Sequence, residues 1–72
     1  MDKFKEMKKD AATNLGILAE MPVAENPDSV CAALAHVFRR GSFNDGAKAV
    51  MLVSQFMWAH CEELYHSSNE TK

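Results

Sequence analysis

The sequence has few of the features that would assign it to a class of protein. Two cysteines in 72 residues are too few for a disulfide scaffold, and we expect Cys31 and Cys61 to lie buried as small apolar side chains. With 8 basic and 10 acidic residues, the chain lacks the positive charge typical of general nucleic-acid binders. Its apolar run at residues 49–61 covers roughly 13 residues, whereas a membrane span takes about 20. No apolar run follows the N-terminal lysines, so no signal peptide is predicted and we expect a cytoplasmic protein.

The composition nevertheless indicates a folded protein, because 47% of the residues are hydrophobic. A chain this short buries only about 60% of its unfolded surface. Proteins of this size therefore commonly depend on disulfides, a metal ion or a partner chain. No catalytic or cofactor motif is evident, so we predict a protein that is not an enzyme and needs no cofactor.

Hydrophobic periodicity predicts an all-α fold of three helices in one domain, residues 1–67. Apolar residues recur at steps of three and four over residues 2–21, 27–40 and 45–66. The third predicted helix is the longest and is expected to be central. Residues 68–72 are polar and are predicted to form a flexible tail.

The first predicted helix has one apolar side and one charged side. Its charged residues, Lys8 among them, are assigned mostly to the solvent side. Gly16 costs about 1 kcal/mol in a helix interior relative to alanine, so a bend or an early stop near it is left open. Pro22 ends the segment.

Capping residues predict where the other two helices begin and end. Asn26 can cap the second helix with Pro27 in its first position, and Gly41 is well placed to end it. Either Ser42 or Asn44 can cap the third helix. The connection between these helices is short, so they must be neighbours in space.

The third predicted helix is apolar on three sides. The sides contain, in turn, Val50, Val53, Met57, Cys61 and Leu64; then Ala49, Leu52, Phe56 and Ala59; then Met51, Trp58 and Tyr65. Two short helices can cover about two of these sides, and an uncovered apolar patch usually marks an interaction site. We therefore predict a dimeric helical bundle, with a monomeric three-helix domain as the alternative. The predicted dimer interface consists of Met51, Phe56, Met57, Trp58 and Tyr65.

These features favour a small, non-catalytic module for protein–protein interaction or regulation. Small helical accessory proteins of bacteria and their phages often have this character, which is an expectation for the class. A second surface, for another protein partner, is predicted at Arg39, Arg40 and Lys48.

Two alternative functions stay open at this stage. The second and third helices have the order of a DNA-binding helix-turn-helix, although the acidic balance and the apolar third helix count against it. Glu63 and His66 form an E-x-x-H pair one turn after His60, which makes these three residues weak candidates for a metal site. Helical di-iron sites need two such pairs and further glutamates, which only a dimer could begin to supply.

Overall fold

The computed structural model describes residues 3–70, with side chains described up to residue 67. Three helices occupy most of this range: α1 (Lys3–Ala19), α2 (Pro27–Arg39) and α3 (Phe43–Glu70). The described residues contain no strand, which confirms the predicted all-α class. The helices form a rod of 46 × 17 × 16 Å.

Helix α1 ends two residues before the predicted end, and Gly16 does not break it. The backbone turns at Glu20, whose φ of 58° lies in the left-handed region. The N–H of Met21 then donates to the Gly16 carbonyl at 3.1 Å, and the N–H of Glu20 donates to the Ile17 carbonyl at 3.2 Å. This is a Schellman ending, in which the chain folds back over the last turn. Glycine suits position 16 because a Cβ there would lie 2.9 Å from the Met21 carbonyl oxygen.

Helix α2 begins at the predicted residue and ends one residue before the predicted end. The Asn26 side chain accepts a hydrogen bond from the N–H of Ser29 at 2.8 Å, and Pro27 occupies the first turn. After the helix, Gly41 adopts a φ of 79°, and its N–H donates to the Phe38 carbonyl at 3.0 Å. Local chemistry therefore accounts for both ends of α2.

Helix α3 begins two residues earlier than predicted and continues four residues further. The Ser42 hydroxyl accepts a hydrogen bond from the N–H of Asp45 at 3.2 Å, so Ser42 is the cap and Asn44 lies inside the helix. The backbone of residues 68–70 belongs to α3. The rest of the predicted tail, residues 71 and 72, lies outside the described residues.

Both shorter helices run antiparallel to α3. The Phe4 ring at the start of α1 packs against Trp58 in the second half of α3. At the other end of α1, the Leu18 carbonyl accepts a hydrogen bond from Arg40, just before α3 begins. After the Gly41 turn, α3 folds back along α2.

Ten apolar residues form the buried core, and six of them are alanines, which let the helix axes approach closely. Phe56 and Leu15 are the largest of the fully buried side chains. The core consists of Ala11, Ala12, Leu15, Ala19, Val30, Ala33, Val37, Ala49, Phe56 and Ala59.

Helix α2 is too short to cover all of α3. It has 13 residues and α3 has 28, which correspond to roughly 20 Å and 42 Å of helix. The turn at Gly41 places the end of α2 beside the start of α3. Because α2 is the shorter helix, it lies along the first half of α3 only. The second half of α3 packs on α1 alone.

Candidate functional site

The side of α3 that faces away from the other helices is apolar along most of its length. Three neighbouring rows of residues make up this side, each with a spacing of seven residues. These rows together are the outer face: Phe43, Val50, Met57 and Leu64 in the first row, Ala47, Ser54 and Cys61 in the middle row, and Met51, Trp58 and Tyr65 in the third row. A strict spacing of seven is typical of helices that pack along each other with a left-handed twist.

The outer face carries no charged residue between positions 43 and 65. Six of its large side chains are exposed: Phe43 88%, Met51 64%, Tyr65 63%, Leu64 54%, Trp58 52% and Val50 43%. At roughly 150–250 Å² for each large side chain, they expose on the order of 700 Å² of largely apolar surface. A patch of this size exceeds that of a typical monomer and indicates a binding surface.

The middle row consists of small residues. Ala47, Ser54 and Cys61 are all exposed, and they lie between two rows of larger side chains. The outer face is therefore a shallow channel whose floor is close to the helix backbone. Another helix lying in this channel could approach α3 closely, since the separation of packed helices depends on the side chains between them.

The five residues predicted for the interface differ in their exposure. Met51, Trp58 and Tyr65 are exposed on the outer face, and Met57 lies at its partly buried edge. Phe56 is fully buried in the core of one chain, so its assignment to a surface was wrong. It shares a side of α3 with Ala49, and that side is the one that α1 and α2 cover.

The sequence prediction missed three exposed residues of the outer face, Phe43, Val50 and Leu64. Phe43 was assigned to the connector because the helix was expected to start later. Val50 and Leu64 were assigned to one of the three apolar sides but were not included in the predicted interface. The spacing of seven that links these residues, read together with a Ser42 cap, is the signal that would have identified them.

Trp58 is held in place by α1. The Phe4 ring meets it edge-on, with 5.6 Å between ring centroids and 77° between the planes. Phe4 also stacks on His66 at 5.5 Å. About half of Trp58 stays exposed, so it presents a rigid aromatic surface, as residues that dominate binding interfaces often do.

An open apolar depression of about 540 Å³ lies at the start of α3, beside the turn from α2. We refer to it as the turn pocket, and it is lined by Phe38, Gly41, Ser42, Phe43, Gly46, Ala47 and Val50. A Cβ at position 46 would lie 2.8 Å from the Phe38 ring, so a larger residue there would have to displace the ring. The turn pocket opens next to the first row of the outer face.

Lys8 is buried at 8% exposure, so its assignment to the solvent side was wrong. Its Nζ donates to Glu63 Oε1 at 2.8 Å and to His60 Nδ1 at 3.0 Å, and it lies 5.5 Å from the centre of the Phe56 ring. Because an ammonium group only donates, the ring proton of a neutral His60 is on Nε2. Position 8 lies four residues after Phe4 and three before Ala11, on the apolar side of α1, which is the signal that was overlooked.

These contacts also separate the metal-ligand candidates. His60 and Glu63 share Lys8 as a partner, whereas His66 Nε2 lies 3.4 Å from Glu62 Oε1. The cationic ammonium group of Lys8 occupies the position between His60 and Glu63 that a metal ion bound by both side chains would need. Among the side chains that the structure describes, no three His, Cys, Asp or Glu residues are grouped so that they could hold a metal ion.

The three basic residues predicted as a second surface have different surroundings. Arg40 forms an ion pair with Glu20 at 3.0 Å and donates to the end of α1, so it connects the helices. Arg39 donates to the Ala35 carbonyl of its own helix at 3.4 Å. Lys48 lies on α3 at the margin of the outer face.

Cys31 and Cys61 are both exposed free thiols, so the expectation that they lie buried was wrong. Cys61 belongs to the middle row of the outer face, whereas Cys31 lies on α2. The alanines of the core take the positions close to the helix contacts, which leaves the two cysteines outside.

In the described part of the chain, none of the helices combines the length and the apolar character needed to cross a membrane. Comparisons with protein-family models, curated proteins and solved structures find no match to this chain.

Proposed function

We propose that this protein is a non-catalytic interaction module that forms a homodimer through the outer face of α3. The observation that supports this most is the absence of charge on an exposed face that runs from Phe43 to Tyr65. A helix face in contact with water normally carries polar residues. Three rows of mainly apolar or small residues are therefore typical of a helix that packs against another chain.

The available area supports a dimer rather than a brief encounter. A stable interface buries about 800 Å² on each partner, and the exposed large side chains of the outer face supply most of that, on the order of 700 Å². The whole chain exposes 4931 Å² for its 8.0 kDa. A compact monomer of that mass exposes about 4,450 Å². This fold therefore exposes more surface than a compact monomer of the same mass.

The unequal helix lengths favour a second copy as the partner. The second half of α3 packs on α1 alone, because α2 is too short to reach it. A two-helix layer is a poor core, and a further helix from another copy would complete a bundle there. Homodimers with twofold symmetry are also the commonest form of assembly.

We also propose a regulatory or accessory role, in which the dimer binds a further protein. Of the predicted second surface, Arg39 and Lys48 are exposed, whereas Arg40 is paired with Glu20. The helix-turn-helix alternative stays a prediction that no contact in the structure favours. Cytoplasmic location also belongs to the proposal, and two exposed free thiols suit a reducing compartment.

Sedimentation equilibrium tests the proposal. We expect the wild-type protein to have twice the 8.0 kDa mass of one chain. Met51→Glu places a charge on the exposed outer face without touching the core, so it should give a folded monomer. Ala32→Glu, at an exposed position of α2, is the matched control and should remain dimeric. A wild-type protein that is folded and monomeric at every concentration would show that the proposal is wrong.

A further inference from the structure

The arrangement of the outer face also specifies how two copies would lie, provided that the proposed homodimer forms. In an antiparallel pair of helices related by a twofold axis, each row faces the same row of the other copy, read in the opposite direction. The first row then pairs Phe43 with Leu64 and Val50 with Met57. Because the two residue numbers of each pair add up to the same value, the row has a single centre of symmetry.

The other two rows have the same centre. In the third row, Met51 pairs with Trp58 of the second copy, and Tyr65 lies opposite Asn44. In the middle row, Ala47 pairs with Cys61, and Ser54 lies opposite Ser54 on the axis. One register therefore aligns all three rows and uses the whole outer face. A shift by one heptad would leave the ends of every row uncovered.

Charges beside the outer face are complementary in this register. Lys48 and Glu62 lie next to the third row, on the same side of α3 as Gln55. Their positions are symmetric about the same centre, so each Lys48 would lie near Glu62 of the second copy. Two equivalent ion pairs would then flank the interface, which favours this register and orientation.

The turn pocket provides an independent reason for the antiparallel orientation. It lies at the start of α3, whereas Leu64, which is half exposed, is 21 residues further along and roughly 31 Å away. Parallel helices would bring the two turn pockets to one end and both Leu64 side chains to the other. Antiparallel helices place Leu64 of each copy beside Phe43 and the turn pocket of the other copy.

We infer that two copies pack their α3 helices antiparallel about Ser54, with Leu64 of each copy seated in the turn pocket of the other. This inference rests on the proposed homodimer and specifies its geometry. The pocket is incomplete in one chain, and the second copy supplies the side chain that fills it.

The two native cysteines allow a direct test by disulfide cross-linking. All variants carry Cys31→Ser, and diamide is the oxidant, which takes up two electrons and two protons for each disulfide formed. With Ala47→Cys added, each new thiol would lie opposite Cys61 of the second copy, so we expect a covalent dimer joined by two disulfides. Adding Met51→Glu as well should abolish cross-linking, which controls for chance collisions.

Variants with one cysteine distinguish the orientations. Cys31→Ser alone keeps Cys61, and Cys31→Ser with Cys61→Ser and Ala47→Cys keeps only the thiol at position 47. In the antiparallel dimer, equivalent thiols are 14 residues apart along the axis, roughly 21 Å, so neither variant should cross-link. In a parallel dimer both would, since equivalent positions face each other.

Charge exchange tests the register separately. Lys48→Glu or Glu62→Lys alone should weaken dimerisation roughly tenfold, and the double variant should recover wild-type affinity, since it restores opposite charges. Cross-linking through Cys61 alone, or a dimer that does not join positions 47 and 61, would overturn the antiparallel geometry but not the proposed function. A monomeric wild-type protein would overturn both.

Discussion

At the scale of single residues, Lys8 is the unusual feature of this fold. It is a charged side chain within an otherwise apolar core, and Glu63 and His60 satisfy its ammonium group. Burying a charge is costly unless it is paired and hydrogen-bonded. The contact connects the first half of α1 with the second half of α3, in the region that α2 does not reach. A polar cluster there fixes which residues of the two helices lie side by side.

We expect Lys8→Ala to lower the free energy of unfolding by about 2–3 kcal/mol, because Glu63 would keep a partly buried charge without its partner. Lys9→Ala is the matched control at an exposed neighbour and should change stability by less than about 0.5 kcal/mol. Urea denaturation at one fixed protein concentration measures both. Lys8→Met combined with Glu63→Leu should recover most of the loss, since neither charge then remains. Equal stability of Lys8→Ala and Lys9→Ala would show that the ion pair contributes nothing.

At the scale of helices, the start of α3 decides how much of it can act as an interface. Because Ser42 caps the helix, Phe43 lies in its first turn and heads the first row of the outer face. The turn before it places Phe38 of α2 over Gly46 and forms the turn pocket. A start two residues later would remove Phe43 from the helix and shorten the outer face.

Ser42→Ala should lower the free energy of unfolding by about 1 kcal/mol, because the N–H of Asp45 loses its acceptor. Asn44→Ala is the control that separates the two possible caps, and it should leave stability nearly unchanged or slightly raised, since alanine favours a helix interior. Thermal unfolding followed by circular dichroism compares the two. If Asn44→Ala is the more damaging change, Asn44 is the cap.

At the scale of the whole molecule, three helices of unequal length produce a rod with one incompletely covered helix. The core is thin and rich in alanine, so little apolar volume lies between the helices. Many of the large apolar side chains lie on the outer face instead. Stability of the fold should therefore depend on burying that face in a second chain.

Unfolding should consequently depend on protein concentration. We expect the Tm of the wild-type protein to rise by several degrees over roughly a hundredfold increase in concentration, because association stabilises the folded state by mass action. Met51→Glu should have a lower Tm that does not change with concentration. Differential scanning calorimetry at several concentrations measures this, and a constant wild-type Tm would contradict the dependence on dimerisation.

Much of the fold could be predicted because its signals are local. Asn26 marks the start of α2 and Gly41 follows its end, and each forms a hydrogen bond with a residue three positions away. The outer face was only partly predictable, since three apolar sides of one helix look alike in a sequence. Of the residues predicted for the interface, Met51, Trp58 and Tyr65 are exposed, whereas Phe56 is buried.

The residue pattern alone predicts the three helices, the ends of α2 to within one residue, and the excess of apolar residues on α3. Those features depend on capping, periodicity and backbone preferences over a few residues. Which side of α3 stays uncovered, and the burial of Lys8 against Glu63, 55 residues away, depend instead on how the helices pack. Burial depends on neighbours that are distant in sequence. Here α2 is too short to cover all of α3, and α1 places Lys8 in the core.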